Sequence, residues 1–164
     1  MTINGTIRLA AVALLAAAAG STLTARQAAP VTAPVAGPIA GSSAAVGRTV
    51  WDGVYTSAQA ERGLKLYAAN CASCHGAEMV AGAGAPSLTG PEFLFSWNKK
   101  PVSGLFDYAS MFMPPGQAGS LSGQQYADIV AALFKASQFP ASATSELPAT
   151  KADLDAIMIL SVKP

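Results

Sequence analysis

The sequence predicts an all-α domain built from a few short helices, and three observations predict it. Two segments carry apolar residues at helical spacing behind a capping residue. The stretch between them is rich in glycine, proline and aromatic residues, with room for short helices only. No alternating polar and apolar run of strand length stands out.

The first segment is YTSAQAERGLKLYAANCASCH. Thr56 stands three residues before Gln59, the spacing of a capping box. Ala60, Leu64, Tyr67, Ala68 and Cys71 then share one helical face. Gly63 lies at the edge of that face. It costs a helix about 1 kcal/mol relative to alanine, and it is a place where a second helix can cross closely. Short helices are expected around Glu92–Trp97 and Val102–Ser110. The last clear helix lies in LSGQQYADIVAALFKASQF, capped by Ser122, with Tyr126, Ile129, Val130 and Leu133 as its apolar stripe. After Phe139 the chain is rich in turn residues and ends in a short helix or docking segment over residues 151–160.

Ahead of these elements the chain reads differently. Residues 1–25 have a weakly basic start at Arg8, an apolar run from Leu9 to Ala19 and small residues after it. That is a secretory signal peptide, cut near Gly20–Ser21 or after Ala25, or else a retained N-terminal anchor. The run is shorter than the ~20 residues that cross a bilayer. Residues 26–50 are an Ala/Pro-rich flexible tether, because prolines recur too often for any helix. Residues 51–164 form the folded domain with a C-terminal extension. A leader of this kind places the protein in the periplasm, soluble or N-terminally anchored, with membrane association if the leader stays. The net charge of +1 and the charged fraction of 12% exclude nucleic acid as a partner.

Both cysteines and the only histidine fall within CASCH, as Cys71, Cys74 and His75. Three chemistries compete for that cluster. Structural zinc wants four ligands, and this chain has too few soft ones, two of them adjacent. A disulfide or a thioredoxin-type redox pair suits export, but the thioredoxin motif belongs to a βαβ setting that is not visible here. Covalent haem attachment explains the spacing: C-x-x-C-H is the c-type signature. Two thiols at one helix end each add to a haem vinyl group, and the adjacent imidazole lies under the ring. One covalent haem c is the cofactor expected, with His75 as an iron ligand.

The sixth position must then come from elsewhere. The methionines are Met1, Met79, Met111, Met113 and Met158. Met1 belongs to the leader, Met79 follows His75 too closely to reach the other haem face, and Met158 lies in a packed C-terminal segment. Met113 stands before Pro114 and Pro115, which stiffen its loop, and is the expected second iron ligand. Met111 is expected to pack into the core. A neutral thioether ligand raises the reduction potential relative to stronger donors.

On Gly63, Tyr67, CASCH, Pro86, Trp97, Met113-Pro114 and the helix around Tyr126, the chain from about Tyr55 to Phe134 resembles a class I (monohaem) cytochrome c. The wording MPPGQAGSLSGQQYADIVAALF, then FPASATSELP, is similar to cytochrome c subunits and domains associated with quinoprotein (pyrroloquinoline quinone) alcohol dehydrogenases. The resemblance implies a cytochrome c-like fold, few short helices wrapped around one covalent haem. It implies that the Gly63/Tyr67 face crosses the Tyr126–Leu133 helix. It implies that the Pro86 carbonyl accepts a hydrogen bond from His75 Nδ1, and that the Trp97 indole points at a haem propionate. Leu88, Phe93, Leu105 and Phe112 are then pocket packing. The Pro-Pro-Gly directly after Met113 departs from the pattern.

The function expected is one-electron transfer, with no catalytic residue and no enzyme activity of its own. The partners are redox proteins, by analogy a periplasmic dehydrogenase as donor and a respiratory terminal oxidase as acceptor. Two alternatives stand beside it. One is a haem subunit of a dehydrogenase complex. The other is an open-site haem enzyme or sensor, which requires that Met113 not bind or leave readily.

Overall fold

The computed structural model describes residues 47–164. The expectations for the leader and for the tether up to residue 46 lie outside the described residues.

Ten elements follow in order. They are β1 (Arg48–Thr49), a single 3-10 turn (Val50–Asp52), α1 (Ser57–Asn70), α2 (Ala72–His75), α3 (Gly90–Trp97), β2 (Lys100–Pro101), α4 (Val102–Phe112), α5 (Gly123–Ala136), α6 (Lys151–Asp155) and β3 (Ile157–Ile159). Among the described residues, no helix is long and apolar enough to cross a membrane.

The architecture turns on the crossing of α1 and α5. A Cβ on Gly63 would stand 1.8 Å from the Asp128 carbonyl oxygen and 3.0 Å from Ala132 Cβ, so glycine is required for the two backbones to touch. Beside the crossing, Arg62 forks onto Asp128, with Nε to Oδ2 at 3.0 Å and Nη2 to Oδ1 at 3.2 Å. Gln124 Nε2 gives Asp128 Oδ1 a further bond at 2.9 Å, so this buried carboxylate is paired from both helices. The pairing pushes the Arg62 guanidinium further up, first through Asp128 and then through Glu146.

Both long helices start where their capping residues stand. The Thr56 hydroxyl accepts from Gln59 N at 3.0 Å. The capping box read there is only half made, because the Gln59 side chain does not turn back. It reaches across to the backbone of Leu147 on the C-terminal return. Ser122 and Gln125 make a complete box at the start of α5. The buried face of α1 is Gln59, Ala60, Gly63 and Tyr67. Leu64, at 39% exposure, and Ala68 were expected on it and lie outside it, because α5 crosses at Gly63.

Two further expectations need correction. The domain is not purely helical. β3 forms the centre of a small sheet in the order β1-β3-β2, parallel to β1 and antiparallel to β2. Each strand is two or three residues long, too short for alternation to register in the sequence. The sheet also moves the start of the fold ahead of residue 51: Arg48 and Thr49 pair with Ile157 and Met158, and Val50 is fully buried.

The return from Phe139 to Leu147 is irregular but tightly pinned. Tyr55 Oη donates to Phe139 O at 2.6 Å, and Ser142 N donates to Tyr55 O at 2.6 Å. Arg62 Nη2 meets Glu146 Oε2 at 2.9 Å. Thus the C-terminal extension is part of the core, not an appendage. Leu147, Leu154, Ile157 and Ile159 are buried in it.

Candidate haem site

The site is built where α1 ends. Cys71 is the last cap of α1 and the first of α2, so CASCH makes one tight helical turn. Gly76 ends that turn at φ +79°. A Cβ there would stand 2.8 Å from Val80 O, so the chain can fold back over the turn only with glycine. Cys71 is half-buried, Cys74 is exposed, and both thiols are free. Burial, and after it the neighbouring Cys74, push the Cys71 thiol up.

His75 is 8% exposed, and its Nδ1 lies 2.8 Å from Pro86 O. A carbonyl can only accept, so Nδ1 carries a proton, and in the neutral ring Nε2 is then the nitrogen with the free lone pair. Nε2 makes no hydrogen bond among the described residues and is not sealed from solvent. Pro86 itself is exposed, at the end of the loop Ala81–Ala85.

The loop beneath is organised by Met79, which is buried at φ +60°. Its carbonyl accepts from Leu88 N at 2.9 Å, Ser87 Oγ at 3.2 Å and Thr89 Oγ1 at 3.3 Å. Sequence reasoning weighed Met79 only as an iron ligand and missed this structural role.

Met113 ends α4 in an extended conformation and is partly buried. The bond to Pro114 is cis. Met111 is not in the core: it is 64% exposed. The inward face of α4 is Val102, Leu105 and Phe106. At ~100° per residue, Met111 and, less squarely, Tyr108 turn to the opposite face, whereas Phe112 stands two turns after Leu105 on nearly the same side, at the end of the helix. Phe112, expected as pocket packing, is 54% exposed, whereas Phe93 and Leu105 are buried and Leu88 is partly buried. Trp97 is half-buried, edge-on to Tyr108 at 6.0 Å, with Lys100 Nζ 5.2 Å from its ring centre. No hydrogen bond from its indole is made among the described residues, so that donor is available to a ligand.

Two phenols complete the frame. Tyr67 Oη donates to Gly76 O at 2.6 Å, and Tyr126 Oη donates to Met113 O at 2.8 Å. Both residues were legible as helix-face positions. Their hydroxyl partners were not, although a buried tyrosine always raises the question of where its hydroxyl goes.

Burial, and then Cys71, push the Tyr67 phenol up to about 12. The ordinary phenol ionises near 10. Between those values the unfolded chain gives up a proton that the folded chain keeps. Stability is therefore intact below the lower value and falls as pH rises towards the upper. Thermal melts across this window should show a steeper alkaline decline for the parent than for Tyr67→Phe. Superposable alkaline limbs would exclude Tyr67 as the group responsible. Tyr55, also raised by burial, sustains a residual slope in both.

The residues fit a c-type haem. Two free thiols stand three apart on one turn, beside an imidazole whose outer nitrogen is held by a carbonyl and whose inner nitrogen, in the neutral ring, keeps its lone pair. Among the described residues no group of three or more His, Cys, Asp and Glu side chains is arranged to hold a metal by itself.

The family described as "Cytochrome C oxidase, cbb3-type, subunit III" matches residues 58–131, from the first turn of α1 to about two thirds of the way along α5. The span contains CASCH, Pro86, Trp97 and Met113. The match supports a c-type cytochrome domain, with haem c as cofactor and haem-based electron transfer as its activity. No curated protein and no solved structure matches significantly.

Proposed function

We propose that the protein is a one-electron carrier with one covalently attached c-type haem, held by Cys71 and Cys74 and ligated by His75 and Met113. The observation that carries the reading is the CASCH turn with its His75–Pro86 hydrogen bond. Bound there, the haem would supply a reversible one-electron couple. The chain's own work is positioning. Pro86 O fixes the imidazole tautomer and ring orientation. Tyr67 ties the far end of the turn to α1. The Trp97 indole is the donor for a propionate. Leu105 and Phe93 exclude water from one side.

We take the protein to be exported to the periplasm, soluble or tethered by its N-terminal segment. Its donor is a dehydrogenase, of the quinoprotein kind if the MPPG…FPASATSELP wording is followed. Its acceptor is a respiratory oxidase. The matched family's name favours a second reading, in which the chain is a haem subunit working within an oxidase complex. Purification from membranes under mild conditions separates the two: a carrier runs alone, a subunit runs with its complex.

The first test is the visible spectrum of the reduced holoprotein, made in a host competent for c-type maturation, with and without carbon monoxide. An unchanged spectrum is expected, because Met113 fills the sixth position. A full shift would move the open-site enzyme or sensor to the front. Acid–acetone extraction should leave the haem on the chain, and Cys71→Ser with Cys74→Ser should release it.

A further inference from the structure

The two crossing helices each aim one buried phenol at the carbonyl beside one candidate ligand. From α1, Tyr67 reaches Gly76 O, next to His75. From α5, Tyr126 reaches the carbonyl of Met113 itself. Tyr126 is 3% exposed, and its ring stands edge-on to Phe106 at 6.3 Å and 76°, so the phenol has little freedom to swing away.

The segment it holds has few other ties. Met113 N bonds back to Ala109 O at the end of α4. Pro114 and Pro115 carry no N–H. Gln117 N bonds to Pro114 O and Ser120 N to Gln117 O, both inside the loop. Among the described residues, apart from the Met113 N bond back to α4, from which the segment emerges, the Tyr126 bond is the hydrogen bond that joins residues 113–121 to another element.

We propose that Tyr126 is a positioning residue for the sixth ligand. It fixes the Met113 carbonyl to the rigid α5, and so sets how readily the Met113 side chain leaves its place. The proposal rests on the reading of Met113 as an axial ligand. Local opening of the 113–121 loop is the event Tyr126 suppresses, and removing one net hydrogen bond should raise the open population about tenfold.

The test is the rate of carbon monoxide binding to the reduced holoprotein, compared across the parent, Tyr126→Phe, Tyr55→Phe and Met113→Ala. Tyr126→Phe keeps the ring against Phe106, and circular dichroism checks its fold. The expected order is Met113→Ala fastest, at least about a hundredfold above the parent, with Tyr126→Phe about tenfold above it. Tyr126→Phe should also lower the midpoint potential, because the ferrous-favouring thioether is held less firmly. Tyr55→Phe should bind within about twofold of the parent, since its hydroxyl donates to Phe139 O, away from the haem site.

A Tyr126→Phe rate equal to the parent's, beside a fast Met113→Ala, would overturn the proposal and leave Met113 ligation standing. An equal rise in Tyr55→Phe would also overturn it, because general loosening on loss of a buried phenol's hydrogen bond would then be the cause. A parent as fast as Met113→Ala would overturn the ligation reading, and the role of Tyr126 with it.

Discussion

Gly63→Ala should lower the melting temperature of the holoprotein by about 10 °C or more. The added methyl carbon would sit 1.8 Å from a backbone carbonyl oxygen, that of Asp128, and 2.4 Å from the carbon bearing it. Neither atom can rotate away, so α1 and α5 must part by more than about 1 Å. Overpacking of this sort costs about 1–3 kcal/mol where side chains yield, and more where backbone must move. The helix-propensity gain of alanine, about 1 kcal/mol, works in the other direction and does not cover it. Parting the helices also strains the Arg62 fork onto Asp128, one residue away. Gly104→Ala is the control. It lies within α4, and its nearest neighbour is Trp97 Cζ3 at an ordinary 3.8 Å. The same chemical change there should be neutral or slightly stabilising. A Gly63→Ala protein melting within about 3 °C of the parent would mean that α1 and α5 are not in contact at Gly63.

That crossing was legible because a lone glycine on an otherwise regular helical face weakens the helix, a cost offset where a second backbone packs against it. The CASCH turn was legible for a different reason: the chain concentrates its thiols and its imidazole in one place. The bond from His75 to Pro86 was reached through resemblance, and it is present at 2.8 Å. What stayed hidden shares a physical cause. Strands of two or three residues leave no periodic trace, so β3 and its neighbours were missed. The direction of Met111 depended on where α4 is buried, and a methionine's composition does not reveal its face. Long-range hydrogen bonds such as Tyr126 to Met113 depend on how elements meet, and spacing along the chain says nothing of that. Gln59 is the sharpest case. Its position three after Thr56 fitted a local cap, yet its amide serves a residue far along the chain.

Gln59→Leu should cost several kcal/mol for that reason. The Gln59 amide makes both bonds that the Leu147 backbone needs: Nε2 donates to Leu147 O at 2.9 Å, and Oε1 accepts from Leu147 N at 2.6 Å. Gln59 is fully buried and Leu147 nearly so, which leaves little chance for water to substitute. Leucine would strand one buried donor and one buried acceptor, at about 1–3 kcal/mol each. Against a total stability of about 5–15 kcal/mol, the Phe139–Leu147 return should loosen from α1 before the rest of the fold melts. Hydrogen exchange at Ser142 N, bonded to Tyr55 O, should therefore speed up more than exchange within α5. Gln59→Glu divides the two bonds by pH. Ionised, the carboxylate still accepts from Leu147 N but opposes the Leu147 carbonyl. Protonated, it donates to that carbonyl and restores the pair. The fold thus favours the protonated form and raises this group's pKa above its unfolded value. The recovered stability is present below the unfolded pKa and is lost as pH rises through the folded one. Relative to the parent, Gln59→Glu should melt highest in mild acid and lowest at neutral pH. An offset that does not change with pH would show that the Leu147 backbone does not read this side chain at all.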